Sequence, residues 1–145
     1  MPNETQTVIY ADGASRGNPG KAAFGIVIHR DGQTLRLGRY LGTATNNEAE
    51  YRALLAALQW AVEHNVSRVT YYSDSQLVVE QINGRYKVKH PNLKPLFLEA
   101  LALKNRLGEF NVFHIRRENN EEADTLVNKI LDAEKKKAGK VRAEG

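Results

Sequence analysis

The spacing of hydrophobic residues changes near Thr45, and this change limits the folds that the chain can adopt. Before Thr45, residues 5–12, 22–29 and 34–41 have the apolar, β-branched character of strands, and an Asp-Gly turn signal between the last two is typical of a hairpin. After Thr45, helix-like segments alternate with two more strands, which favours right-handed parallel crossovers. This order predicts an α/β fold, a five-stranded mixed sheet with helices on both faces.

The spacing of apolar residues and the helix stop signals predict where the helices and the last two strands lie in the sequence. In the first helix, Tyr51, Leu54 and Leu58 share one apolar stripe, while Gly84 and Gly108 end the second and third helices. The Gly- and Pro-rich run GASRGNPG is predicted to connect the first two strands. The predicted helices cover residues 46–65, 75–83, 93–107 and 120 to about 137, and the later strands cover 68–73 and 111–116.

Length and composition predict one domain, residues 1–145, with a core from about 5 to 134 and a frayed basic tail over 135–145. Because the chain lacks cysteine, a bound metal would have oxygen or imidazole ligands, which favours Mg²⁺ or Mn²⁺ over Zn²⁺. The net charge of +4 is compatible with a polyanionic partner. No apolar run is long enough for a membrane span and the start MPNETQT lacks signal-peptide features, so we expect a cytoplasmic protein.

Four acidic residues interrupt segments that otherwise have the pattern of a buried core: Asp12, Glu50, Asp74 and Asp124. Asp12 and Asp74 end the first and fourth predicted strands, and binding sites in such sheets form where parallel strands end. Glu50 and Asp124 lie beside the apolar stripes of the first and last helices, so both can lean toward the sheet. Buried carboxylates are costly unless paired and repel one another, so a divalent metal is the expected partner.

Each acid also has an ordinary structural explanation. Acids at strand ends often cap the next helix, as Asp74 would, and acids near helix starts complement the helix dipole. Asp124 could pair with Arg116 or Arg117. These explanations suit single residues, but they account poorly for four acids together.

Four strings, YADGASRGNPG, TNNEAEYRALLAAL, YSDSQLVVEQINGRY and RRENNEEADTL, resemble the type 1 ribonuclease H family in order and spacing. The resemblance implies a ribonuclease H-like fold and Mg²⁺-dependent endonucleolytic hydrolysis of the RNA strand of an RNA/DNA hybrid, leaving 5′-phosphate and 3′-hydroxyl ends. It also implies that Asp12, Glu50, Asp74 and Asp124 are catalytic and hold two Mg²⁺ ions, which Mn²⁺ could replace. In this scheme Asp12 bridges both ions. Glu50 and Asp74 serve the ion beside the nucleophile, and Asp124 serves the leaving-group side.

The resemblance further implies a set of substrate contacts made mostly by amides, which can donate to and accept from the 2′-hydroxyl and base edges. A glycine in this set would let a ribose approach the backbone. Ordinary local roles are also open, because Asn18 lies in turn-forming sequence and Thr45 can cap the first helix. The matching positions are Gly13, Asn18, Asn46, Asn47 and Gln76 for the minor groove of the hybrid, and Thr45 near a DNA phosphate.

The loop before the last acid departs from the family pattern. Many members have a histidine there, whereas the nearest histidine of this chain, His114, lies in a predicted strand, where we expect it to be partly buried. Arg116 and Arg117 are the candidates for a loop role in phosphate contact or product release, because arginine cannot act as a base near neutral pH.

The basic segment between the middle helices is shorter than the protrusion of some relatives, which predicts weaker hybrid affinity and a steep salt dependence. Its residues Arg85, Lys87 and Lys89 would either contact a DNA backbone or be simply solvated.

Three functions are compatible with these features: a nuclease for RNA/DNA hybrids, a catalytically silent hybrid-binding module, and a related nuclease or resolvase acting on DNA. The complete set of acids disfavours the silent module, and the amides disfavour DNA cleavage. We expect a monomer whose partner is an RNA/DNA hybrid and which binds no membrane.

Overall fold

A computed structural model of the protein describes residues 6–144, with side chains for residues 6–137. Five strands form one sheet in the order β3-β2-β1-β4-β5. The strands are β1 (Thr7–Gly17), β2 (Gly20–Arg30), β3 (Gln33–Ala44), β4 (Arg68–Ser73) and β5 (Glu109–His114). The helices are α1 (Asn46–Glu63), α2 (Gln76–Ile82), α3 (Lys94–Lys104) and α4 (Glu121–Glu144), and a short 3₁₀ helix covers Arg117–Asn119.

The sheet is mixed, as predicted. The pairs β1–β2 and β2–β3 are antiparallel, whereas β1–β4 and β4–β5 are parallel. The main core contains Ile9 and Ile26 from the sheet packed with Leu54 of α1, and a smaller core joins Ala23 to Val127 of α4. Helices therefore cover both faces, which confirms the predicted fold class.

The predicted connection GASRGNPG is mostly strand. Antiparallel pairing runs from Gly13 opposite Phe24 to Gly17 opposite Gly20, so only two residues form the turn. The sequence pattern could not reveal this extension, because the stabilising hydrogen bonds come from a partner strand rather than from local residue preferences.

The last helix is longer than predicted, since its backbone is helical to Glu144, seven residues beyond the expected end near Lys137. The first predicted strand residue, Thr5, and the last tail residue, Gly145, lie outside the described residues. Over the part of the chain that the structure describes, no helix combines the length and apolar character needed to cross a bilayer.

Candidate metal centre

Two of the predicted acids lie side by side because of strand register. The parallel pairing of β1 with β4 ends at Ala11 opposite Ser73, and Asp12 and Asp74 are the residues that follow this last pair along the chain. Both acids therefore lie where this parallel pairing ends. The prediction that Asp12 ends the first strand is wrong, because β1 continues to Gly17 in antiparallel pairing with β2. Glu50 joins them, and carboxylate oxygens of Asp12, Glu50 and Asp74 all lie within 4.8 Å of one another.

A glycine allows helix α1 to bring Glu50 into this cluster. The backbone N–H of Gly13 donates to Glu50 Oε1 at 2.5 Å, and a Cβ at Gly13 would lie 2.3 Å from the carbonyl carbon of Ala49. The missing side chain of Gly13 thus makes room for α1. The helix backbone, rather than a ribose, lies where a side chain at this position would be. Contact between Gly13 and a ribose stays a prediction.

Burial and mutual repulsion make the acids reluctant to ionise. Asp12 is 3% exposed and Glu50 is 8% exposed. Burial, followed by the charges of Asp74 and Asp124, raises the pKa of Asp12 from 3.8 to about 7. Burial and then the charges of Asp12 and Asp74 raise the pKa of Glu50 well above its ordinary value. The positive charge of Arg117 acts in the opposite direction on the pKa of both groups.

Asp124, the fourth predicted acid, is not part of the three-acid cluster. It lies half-buried in the first turn of α4, near enough for its charge to raise the pKa of Asp12. Its Oδ2 accepts a hydrogen bond from Asn128 at 3.4 Å.

Asn120 is a structural residue of the site that the sequence did not single out. It is 1% exposed, and its Nδ2 donates to the carbonyl of Ala11 at 2.8 Å and to Asp74 Oδ2 at 3.1 Å. The Asn120 carbonyl also accepts the first helical bond of α4, from the N–H of Asp124. One buried amide thus connects β1, the residue after β4 and α4. The preference of asparagine for helix starts was the available signal, but two asparagines precede this helix.

The simpler explanation of Asp74 as a helix cap is wrong. Ser75 caps α2, and its hydroxyl accepts from the N–H of Val78 at 3.3 Å. A second simple explanation was an ion pair between Asp124 and Arg116 or Arg117. Arg116 Nη1 instead lies 3.9 Å from Glu118 Oε1, an acid two residues away in sequence.

The donor set fits a divalent cation. The clustered ligand atoms are hard carboxylate oxygens, which suit cations such as Mg²⁺ and Mn²⁺, and a cation among them would offset both their burial and their repulsion.

Most of the predicted substrate residues lie at or contact the start of α1, whereas Gln76 is the first residue of α2. Thr45 caps this helix, since its hydroxyl accepts from the N–H of Glu48 at 3.1 Å while Glu48 Oε1 accepts from the N–H of Thr45 at 3.0 Å. Asn46 joins the helix to the β1–β2 hairpin: its Oδ1 accepts from the N–H of Ser15 at 2.7 Å, and its own N–H donates to Asn18 Oδ1 at 3.0 Å. The local roles of Thr45 and Asn18 are therefore real. Both asparagines are exposed, as are Asn47 and Gln76.

The basic segment is only partly available to a ligand. Arg85 is bound to Glu80 through two hydrogen bonds of 2.6 and 2.8 Å, whereas Lys87 and Lys89 are exposed. His114 lies in β5 as expected, but it is exposed rather than partly buried, because it is the last residue of an edge strand.

Comparisons with known proteins agree with this geometry. A family model described as reverse transcriptase-like matches residues 10–130. The chain is 44% identical over 131 residues to the bifunctional protein Rv2228c of Mycobacterium tuberculosis, and 41% identical over 125 residues to ribonuclease HI of Halobacterium salinarum. These matches cover 88% and 85% of the chain, but the chain spans only 36% and 63% of the two relatives.

Solved structures match over nearly their full length. The N-terminal RNase H domain of Rv2228c superposes with a TM-score of 0.86 at 42% identity, covering 92% of this chain and 99% of that one. LC11-RNase H1, solved in complex with an RNA/DNA hybrid, gives a TM-score of 0.78 at 40% identity, covering 85% of this chain and 94% of that one. Sequence, fold and acid arrangement agree, and the chain belongs to the type 1 ribonuclease H (ribonuclease HI) family.

Proposed function

We propose that this protein is an endonuclease that hydrolyses the RNA strand of RNA/DNA hybrids, using Mg²⁺ and leaving 5′-phosphate and 3′-hydroxyl ends. The observation that carries the proposal is the cluster of Asp12, Glu50 and Asp74, whose ligand atoms lie within 4.8 Å of one another where the parallel pairing of β1 and β4 ends. The hybrid bound to the similar LC11-RNase H1 supports the choice of substrate.

The chain's own residues supply the binding site for the cations. Asp12, Glu50 and Asp74 would hold them, with Asp124 on the side of α4. Two bound divalent cations would activate the nucleophile and stabilise the charge of the leaving oxygen. The protein contributes a rigid support, because Gly13 fixes one oxygen of Glu50 and Asn120 fixes one oxygen of Asp74.

Selection of a hybrid over duplex DNA needs residues that recognise the 2′-hydroxyl. The exposed amide of Asn47 and the hydrogen-bonded Asn18 and Asn46 supply donors and acceptors around the start of α1, and the exposed amide of Gln76 supplies them at the start of α2. We propose that they contact the minor groove of the hybrid. Thr45 would lie near a DNA phosphate. Arg117, whose charge acts on the pKa of Asp12, would assist phosphate contact or product release.

A monomeric state and a cytoplasmic location stay predictions of the sequence. The chain covers only part of its first relatives, so the activity of the whole protein is likewise part of the proposal.

Cleavage of labelled substrates tests the proposal. We expect RNA-strand cleavage of a hybrid with Mg²⁺, none in EDTA, and little or none of double-stranded DNA or RNA. The variant Asp12→Asn should bind the hybrid as well as the wild type or better, without cutting it, because one repulsive charge is lost. Asp132→Asn is the matched control, since Asp132 is exposed and paired with Arg16 at 2.8 Å.

A protein that shifts the hybrid without cutting it would be a binding module instead. Cleavage of double-stranded DNA at a similar rate would favour the DNA nuclease.

A further inference from the structure

A polar groove runs between strand β3 and helix α1, on the side of α1 away from the acid cluster. It has a volume of about 450 Å³ and is lined by Arg39 and Thr43 of β3 and by Arg52 and Gln59 of α1. Glu50 faces Gly13, whereas Arg52 lies two residues further along α1, about 200° around the helix. The groove and the metal centre therefore flank the same helix.

The groove lies level with the metal centre. In the sheet, Gly13 pairs with Phe24, and Phe24 pairs with Arg39. Arg39 is thus two strands from Gly13, roughly 10 Å at the usual spacing of about 4.8 Å between strands. A duplex lying over the start of α1 would pass close to both places.

The charge of the groove suits an anion. Glu48 is the only acid among its lining residues, and its Oε1 is held by the N–H of Thr45 in the helix cap. Within residues 6–137, neither Arg39 nor Arg52 forms an ion pair with a carboxylate. Ala44 and Glu48, which lie on either side of the helix cap Thr45 in sequence, also line the groove, so the amino end of the α1 dipole adds further positive potential.

The basic segment with Arg85, Lys87 and Lys89 offers less unpaired positive charge than its sequence suggests. A second cationic surface would therefore help to hold the duplex backbone. Arg85 is exposed but bound to Glu80, whereas Lys87 and Lys89 are exposed and form no ion pair within residues 6–137. We propose that the β3–α1 groove binds a backbone phosphate of the nucleic acid duplex, outside the cleaved bond, through Arg39 and Arg52. This inference rests on the proposed function, because the ligand is the duplex whose RNA strand is cleaved.

Salt dependence tests the groove directly, because each phosphate contact contributes about 0.9 to the slope of log affinity against log salt concentration. Hybrid binding is measured by fluorescence anisotropy in EDTA across a KCl series, using Arg39→Gln, Arg52→Gln and the double variant. Because the groove binds one phosphate, the double variant should reduce the slope by about 1, and each single substitution should reduce it by up to this amount. In Mg²⁺, both should raise KM and leave kcat unchanged, because the groove lies away from the reacting bond.

The matched control is Arg36→Gln. Arg36 lies on the same strand, but it reaches Glu122 of α4 on the opposite face of the sheet, at 3.3 Å. Its slope and KM should equal those of the wild type. If the salt slopes of the Arg39 and Arg52 variants equal that of the control, the proposal that the groove binds phosphate is overturned. Hybrid cleavage by the wild-type protein would leave the proposed function intact in that case. A wild type that binds hybrid without cleaving it would contradict the proposed function and still test the groove through the binding slopes.

Discussion

The substitution Asp12→Asn should stabilise the metal-free protein, although it removes a residue that we place at the centre of the site. Asp12 is 3% exposed, and burial and neighbouring acids raise its pKa from 3.8 to about 7. At about 1.4 kcal/mol per pH unit, this difference corresponds to about 4 kcal/mol at most. Because the folded-state pKa is raised, the stabilising contribution is complete below pH 3.8 and is lost as the pH rises through 7. Asparagine has nearly the same shape and no charge, so it avoids this loss.

Urea unfolding in EDTA measures the effect. At pH 8, Asp12→Asn should have a higher free energy of unfolding than the wild type, and the difference should shrink as the pH falls toward 5. Adding Mg²⁺ should stabilise the wild type more than the variant, because the cation replaces the missing positive partner. The control Asp132→Asn removes an exposed ion pair and should change stability by less than about 1 kcal/mol at either pH. A variant no more stable than the wild type at pH 8 would refute the electrostatic reasoning.

Three further predictions concern the support of the site and its surroundings. Gly13→Ala should abolish activity and lower the free energy of unfolding, because the new Cβ would lie 2.3 Å from the carbonyl carbon of Ala49; a fully active variant in a cleavage assay would disprove this. Asn120→Ala should weaken Mn²⁺ binding by about 10-fold or more, measurable by calorimetry, and lower the free energy of unfolding by about 1–3 kcal/mol, measurable in urea, since the carbonyl of Ala11 and the half-buried carboxylate of Asp74 lose their donor. Unchanged Mn²⁺ affinity would contradict its supporting role. Lys87→Ala and Lys89→Ala should lower hybrid affinity without changing kcat, and an unchanged salt slope would argue against phosphate contact.

The sequence predicted the parts of the protein that depend on local patterns. Strand β4 has the predicted bounds, Arg68–Ser73, because a short apolar run lies between clear helix signals. The meeting of Asp12 and Asp74 was also predictable, since each acid directly follows an apolar strand segment and the two segments pair in parallel. The family resemblance is confirmed by the matched family model and relatives.

The features that the sequence missed depend on contacts between distant segments. Gly13 looked suited to a ribose, but only the three-dimensional structure shows that α1 occupies the space beside it. Asn120 and Ala11 are 109 residues apart, so no local pattern could indicate that an amide closes the end of the β1–β4 pairing. Likewise, the pairing of Arg85 with Glu80 reduces the charge of the basic segment in a way that composition does not reveal.

The most direct test of the metal centre is a crystal structure with Mn²⁺ and an uncleaved hybrid bound to Asp12→Asn and to the wild type in parallel. The account predicts anomalous density for Mn²⁺ in the wild type among the carboxylates of Asp12, Glu50 and Asp74, with a second ion toward Asp124, and weakened density in the variant. Wild-type crystals with hybrid in place but no Mn²⁺ among these acids would contradict it.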